Sequence, residues 1–367
     1  MVSTNASYTF VVNNDRTLVA NFSQQSYTIS ASADPSNGGT VSGAGTYNHG
    51  QSCTLSATAA EGYTFTNWTE NGNQVSINVN YTFTVTSNRS LVAHFSAQPQ
   101  APQGAINGLF TINANGDQVY FAQGNLQYQA STNTWRFATN QWDYIGEANA
   151  NISYTYSGWV DLFGWGTSGY NHGAVCYQPW STSQTNSDYF AYGQAAYNLY
   201  DQTGQAEWGY NTISNGGNQT SQWRTLTEWD NGEWHFVFNT RSTTSGIRYV
   251  KAQVNGINGV VLLPDDWSAS YYLLNNTNSG GASFSSNIIS ASQWVSLEQH
   301  GAVFLPAAGY RDGTSVCAVG SYGQYWSADY ADDDRACSVY FNDVDLRASY
   351  AISRSYGHSV RLVCPAQ

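Results

Sequence analysis

The reading of this chain turns on Tyr325–Val363, YWSADYADDDRACSVYFNDVDLRASYAISRSYGHSVRLV. Val339, Phe341, Val344 and Leu346 form a spaced apolar skeleton. Between them stand Tyr, Asp, Ser, Arg, Ala and one Cys in no regular order. With Asn342-Asp343 as a two-residue hairpin turn, Phe341 lies opposite Val344 and Val339 opposite Leu346, so all four share one buried face. Tyr340, Asp345, Ser338 and Arg347 then fall on the other face, towards solvent or a ligand.

What the stretch lacks is equally informative. Ser327–Ser359 contains no Glu, Lys, Gln, Met or Trp. Those five types make up about one residue in eight of the chain, so a window of that length should hold roughly four of them. None of the five has a codon ending in a pyrimidine, so a tract made by randomising the first two bases of Asn codons could never contain them. A solvated edge hairpin of the ordinary kind carries Lys, Glu and Gln. This one carries Tyr, Asp, Ser and Arg, the set that antibody-like paratopes use for contact area at low entropic cost and adaptable hydrogen bonding. The candidate ligand-binding positions are therefore Tyr330, Asp332, Asp333, Asp334, Arg335, Cys337, Tyr340, Asp343, Asp345, Arg347, Ser349, Tyr350, Ser355 and Tyr356.

Outward from the tract, the framing sequences are PAAGYRDGTSV at Pro306–Val316, YGQYWSA at Tyr322–Ala328 and GHSVRLV at Gly357–Val363. LLPDDWS at Leu262–Ser268 and DLFGWGTSG at Asp161–Gly169 belong to the same pattern. From about Gly104 to the end the chain resembles the C-type-lectin-like variable proteins of diversity-generating retroelements in gut bacteria and their phages, of the formylglycine-generating-enzyme subtype. In that family template adenines are copied into random bases. The resemblance implies an α+β lectin-like fold with few helices and long loops, a variable region at about 325–363, and a ligand site without catalysis or cofactor. The implied partner is an unknown protein or glycan on another cell or phage host.

The N-terminal part has its own signature. Val2–Phe22 (VSTNASYTFVVNNDRTLVANF) recurs as Val75–Phe95 (VSINVNYTFTVTSNRSLVAHF), a spacing that marks tandem domains. GGTVSGAGTY at Gly38–Tyr47 and EGYTFTNWT at Glu61–Thr69 resemble the internalin-type B-repeat of bacterial surface proteins. Alternation of Tyr81, Phe83 and Val85 with threonines reads as half-buried strand, and Tyr63, Phe65 and Trp68 as core. The expected division is a truncated repeat at 1–25, a complete small β-rich repeat at 26–97, a Pro- and Gln-containing linker at 98–104, and the lectin-like head at 105–367. The start at Met1 reads as a boundary beyond which the natural N-terminus and any signal or lipid anchor lie. An extracellular or cell-surface location follows from the two resemblances.

Within the head, Asn115-Gly116 signals a hairpin. Asn140–Asn218, rich in Trp, Tyr, Gly and Asn without a period, reads as long loops anchored by aromatics. Two helices are expected. Thr225–Asn239 has a threonine cap and Trp229, Trp234 and Phe238 at uneven spacing. Ser290–His300 has a Ser290/Gln293 capping box, Trp294 and Leu297 on one face, and Gly301 as terminator.

Composition narrows the function classes. Charged residues are 10% and aromatics 15%, with one lysine, Lys251, so the chain is globular rather than disordered. A net charge of −12 argues against nucleic acid and anionic membranes as partners, and no apolar run is long enough to insert into a bilayer. Five cysteines at irregular spacing form no disulfide framework, although Cys317 with Cys364 is one possible pair.

Chemistry-bearing motifs are weak. Gly164–Gly169 matches GxGxxG but holds a Trp and lacks the strand–helix frame of a dinucleotide site. His172 with Cys176 has no second ligand pair, and Asp332-Asp333-Asp334 with Asp329 lacks the EF-hand pattern. No G-x-S-x-G elbow is present. Asp265 and Asp266 could serve a glycosidase but read more simply as a cap and turn. The expectation is a non-enzymatic binding protein. A structural surface or pilus-tip component is the alternative, and a formylglycine-generating type of enzyme a more distant one.

Overall fold

The computed structural model describes residues 2–60, 62–97, 100–191, 197–201, 204–228 and 232–366. Glu61, Trp229 and residues 98–99 of the linker, which figure in the sequence expectations above, lie outside the described residues. The chain divides into two compact units, Met1–Pro99 and Gln100–Gln367.

The first unit is all β. Its strands are β1 (Ser26–Asp34), β2 (Gly39–Ser42), β3 (Gly45–Asn48), β4 (Ser52–Ala59), β5 (Tyr63–Glu70), β6 (Asn73–Ser76), β7 (Asn80–Thr84) and β8 (Arg89–Ala97). They form a five-stranded sheet in the order β3-β1-β8-β5-β6 and a three-stranded sheet β2-β4-β7. β8 runs parallel to β1 and antiparallel to β5, and so is the centre of the larger sheet. Period-2 alternation places Cys53, Leu55 and Ala57 of β4 and Leu91, Ala93 and Phe95 of β8 inside, around a fully buried Trp68. Tyr63, Phe65, Tyr81 and Phe83 pack half-buried against this core. Residues 2–25 contain no strand or helix. Leu18 and Phe22, the counterparts of the buried Leu91 and Phe95, are 47% and 94% exposed. The same sequence stays uncovered because 2–25 supplies no equivalents of the strands that flank β8.

The second unit is β-rich with few helices and several small sheets. β9 (Phe110–Thr111), β10 (Gln118–Phe121) and β22 (Val363–Pro365) make one sheet, and β11 (Leu126–Gln129) and β12 (Thr134–Phe137) a ribbon. β13 (Tyr249–Val254), β14 (Ile257–Leu262), β15 (Ile288–Ile289) and β16 (Val303–Pro306) form a four-stranded sheet, and β17 (Tyr310–Asp312) and β18 (Ser315–Cys317) a second ribbon. The tract folds as a three-stranded antiparallel sheet of β19 (Gly323–Tyr330), β20 (Arg335–Phe341) and β21 (Leu346–Ser353).

The near-continuous apolar runs of β14 and β16 follow from burial on both faces. Val260, Leu262, Val303 and Leu305 join Trp234, Tyr325, Val339 and Phe341 in one core cluster. Val261 and Phe304, of opposite parity, meet Trp294 and Leu297 of the helix Ala291–Gln299 in another. That helix is capped by the reciprocal Ser290–Gln293 box and ends at Gly301, whose φ of 81° suits glycine. A third cluster, with Trp135, Trp165, Trp208, Trp223 and Trp326, anchors the long loops between residues 140 and 223.

Arg361 of the GHSVRLV frame, fully buried, ties these cores together. Its guanidinium donates to the carbonyls of Ala122 (3.0 Å) and Phe304 (2.7 Å) and to Asn125 Oδ1 (3.2 Å). Such a cation is tolerated inside because several acceptors replace its water.

Two local expectations are corrected. Thr225 caps no helix: its hydroxyl donates to Glu207, and Leu226 accepts from Ala328 N, so 225–228 is extended beside the tract sheet. Among the described residues the helical segment is Glu233–Thr240, three α residues followed by a π turn. LLPDDWS likewise starts no helix. Asp265 instead accepts from Thr111 N and Oγ, Gln118 Nε2 and Arg241, a saturated structural carboxylate.

Candidate ligand-binding face

The tract hairpin is closed differently from the two-residue turn its sequence suggests. Phe341 pairs with Leu346 and Tyr340 with Arg347, leaving a four-residue loop at 342–345. Asn342 decides this: its Oδ1 accepts from Val344 N (2.9 Å) and Asp345 N (2.8 Å), a side-chain turn that competes with the tight hairpin. Val344 is consequently 73% exposed, Leu346 half-buried, and only Val339 and Phe341 of the expected skeleton are fully inside. Between Ser338 and Tyr340 the register shifts at a bulge. Ser338 thereby turns inward, donating to Tyr350 O (2.9 Å) and accepting from Gln324 Nε2 (3.1 Å), rather than facing solvent.

Of the fourteen candidate positions, the structure leaves twelve at or near the surface and buries two. Cys337 is 3% exposed, with its thiol towards Tyr330 O (3.8 Å). Burial, then the carboxylates of Asp329 and Glu228, push that thiol up to about 12. Ser355 is 1% exposed; its backbone N–H donates to Asn186 and its hydroxyl meets Ser353 Oγ. Neither can touch a ligand on the folded surface.

The others form three groups. At the hairpin end Tyr340 stacks on Tyr350 (5.3 Å, 30°) and meets Tyr322 (5.6 Å). The Arg347 guanidinium lies 5.7 Å from the Tyr350 ring centre and pairs with Asp345 at 2.7 Å. Burial, reinforced by the Tyr322 hydroxyl, raises the Tyr340 phenol to about 12. Asp343 accepts from Phe284 N (2.9 Å) and Ser283 Oγ (2.8 Å), which hold its carboxyl below the usual range. Ser349 is exposed on β21, and its hydroxyl donates to the Glu228 carboxylate.

At the opposite end Asp332, Asp333 and Asp334 lie in the β19–β20 loop and Arg335 opens β20. Asp332 caps the N–H groups of Asp334 and Arg335 and pairs with the Arg335 guanidinium, which lowers its pKa. Asp333 accepts from Tyr330 OH at 3.1 Å. Asp329, by contrast, is buried beneath, accepting from Tyr200 OH (3.0 Å) and Glu228 N, and so belongs to a different environment from the loop aspartates. Tyr356 forms the third group, stacked on Tyr310 at 5.6 Å.

Sequence reasoning missed three residues. Tyr322 and Tyr310 lie in the framing sequences, outside the compositional anomaly that marked the tract. Arg354, inside it, is fully buried. Its guanidinium donates to Phe190 O (2.8 Å), Asp332 O and Arg335 O (3.3 Å), and stands 4.7 Å from the Tyr330 ring centre. It holds the acidic loop from behind. A lone arginine among serines gives no signal of that.

Among the described residues no group of three or more His, Cys, Asp or Glu side chains could hold a metal ion. His172 faces the Gly166 carbonyl (3.0 Å) rather than Cys176, and all five cysteines are unpaired. The Gly164–Gly169 motif opens no helix.

Residues 27–99 match the family of the divergent InlB B-repeat domain. The first unit therefore contains a B-repeat. No curated protein and no solved structure matches the chain. No helix among the described residues is long and apolar enough to cross a membrane.

Proposed function

We propose that the chain is a surface-displayed or secreted ligand-binding protein. In this reading the B-repeat serves as a spacer, and the second unit is a C-type-lectin-like head whose Tyr325–Val363 tract is diversified by a retroelement. The observation that carries it is the separation of roles along one sheet. Tyr325, Val339 and Phe341 are buried in a common core, while Tyr340, Arg347, Ser349, Tyr350 and the Asp332–Arg335 segment project from the same sheet. A backbone fixed from behind can carry many different outward side chains. Those present here, tyrosines with Arg and Asp, are the types that dominate binding hot spots and paratopes. The partner is a protein or glycan on another cell or phage host, and no catalytic step or cofactor enters.

The test begins with panning of the full chain against bacterial surface extracts and protein and glycan arrays. Tyr340→Ala, Arg347→Ala and Tyr350→Ala are then compared with the parent for melting temperature and affinity. Each variant should stay folded and lose about thirtyfold or more in affinity. Unfolding of all three would make the tract structural and end this reading. Diversification has a separate check: the neighbouring DNA should hold a near-copy of the tract-encoding segment, differing at template adenines, beside a reverse transcriptase gene.

A further inference from the structure

One cleft of the second unit lies outside the tract. It has a volume of about 270 Å³ and is lined by Tyr170, Asn171 and His172, which follow the Gly164–Gly169 turn, by Asp201 and Gln205 from a second loop, and by Phe190. Its walls are braced. Gln205 Nε2 donates to Tyr210 OH (3.1 Å), Ser168 Oγ donates to the Gln205 carbonyl (2.7 Å), and the Tyr210 ring meets Tyr170 edge-on.

The polar groups combine acceptors on His172, Asp201 and Gln205 with the Asn171 amide N–H₂ and the Tyr170 hydroxyl, which can donate. His172 Nε2 lies 3.0 Å from the Gly166 carbonyl, so the ring N–H is there and Nδ1 is the bare lone pair. That Nδ1 is buried and has no partner among the described residues, which marks a place where a donor, from a ligand or a bridging water, is wanted. Burial keeps the imidazole below its usual pKa and hence neutral. Asp201 uses one carboxylate oxygen for Asn198 N (2.8 Å), and Gln205, whose Nε2 donates to Tyr210 OH, offers an amide oxygen. Among the described residues no Lys or Arg lines the cleft. Anions are therefore disfavoured. An ammonium gathers its donors at one atom, whereas these acceptors come from two loops.

We propose that this cleft binds one ring of a neutral, hydroxyl-rich ligand of hexopyranose size, its hydroxyls donating to Asp201 and Gln205 and its apolar face against Tyr170. The cleft adjoins the Tyr330 end of the tract: Asn198 Oδ1 accepts from Tyr330 N (2.9 Å), Leu199 N donates to Ala328 O (2.8 Å), and Phe190 O accepts from Arg354 (2.8 Å). Its lining lies wholly outside Tyr325–Val363. If the tract varies as proposed above, every version presents the same sugar-sized site beside it.

Saturation-transfer NMR of the full chain with glucose, galactose, mannose and N-acetylglucosamine tests this, with inorganic phosphate and tetramethylammonium as the other probes. At least one hexose should bind with a Kd of about a millimolar. Tyr170→Ala, at a residue 42% exposed, and Gln205→Ala should each weaken binding by about tenfold or more at an unchanged melting temperature. Tyr340→Ala and Tyr350→Ala should leave it unchanged. The proposal is overturned if no hexose binds, if phosphate or tetramethylammonium takes the cleft instead, or if Gln205→Ala binds hexose like the parent. Hexose binding lost in Tyr340→Ala but kept in Tyr170→Ala would place the sugar on the tract, overturning the cleft while leaving the proposed function standing.

Discussion

Single residues of the tract separate the skeleton from what hangs on it. Phe341 is fully buried in a core with Tyr325, Val339 and Leu305, so Phe341→Ala should cost about 3–5 kcal/mol, transfer and cavity terms together. Val344, in the loop after β20, is 73% exposed, and Val344→Ala should change stability by no more than about 0.5 kcal/mol. Urea denaturation of the two variants decides between the four-residue loop and a two-residue turn, because the tight turn would make both changes costly. Cysteine reactivity gives a second reading at this scale. Cys317 is half-buried and the other four thiols are buried. In the native protein a thiol reagent should modify Cys317 first and Cys337 only on unfolding, since a thiol raised to about 12 holds almost no thiolate at neutral pH. Early modification of Cys337 would restore it to the surface.

At the scale of elements, the tract sheet rests on the segment 225–228, where two carboxylates are buried: Glu228 of the segment and Glu207, which accepts from Thr225. Glu228 is fully buried; its Oε2 accepts from His235 N (2.7 Å), and burial, then nearby Asp329, lift its pKa to about 8. Glu207, bonded to Thr225, is lifted to about 7. The sign follows from proton counting. Between the ordinary 4.5 and these values the folded chain keeps protons that the unfolded chain has lost. Stability therefore falls as pH rises through that window. Unfolding free energy should be lower at about pH 8.5 than at about pH 5.5, and Glu228→Gln should flatten the slope. A slope of opposite sign would mean that the carboxylates are ionised in the fold.

The same elements show what a single sequence can reveal. The helix Ala291–Gln299 was legible because capping box, buried Trp294 and Leu297, and Gly301 are local signals that agree. The buried positions Val339 and Phe341 of the tract were legible from their spacing. Its register was not, because an Asn342 side-chain turn and a bulge at Ser338 are chosen by tertiary fit. Thr225–Glu228 misled for a similar reason: a cap-like threonine was recruited by Glu207, distant in sequence. Arg354, Tyr322 and Tyr310 were illegible as parts of the face, since each acts through partners remote along the chain.

For the whole molecule, the separation into Met1–Pro99 and Gln100–Gln367 carries its own prediction. Each unit has a core of its own: Trp68, Leu55 and Leu91 in the first, and three aromatic-rich clusters in the second. Independent cores with a Pro- and Gln-containing connection should melt independently. Urea unfolding of the full chain, followed by near-ultraviolet dichroism, should resolve two transitions. The smaller unit exposes less surface and should show the smaller dependence on denaturant. Trp68→Ala, removing a fully buried indole, should shift only that transition, by about 3–5 kcal/mol, and leave the second in place. A single cooperative transition displaced by Trp68→Ala would show that the units stabilise each other, which would count against the proposed arrangement of an independent spacer and head.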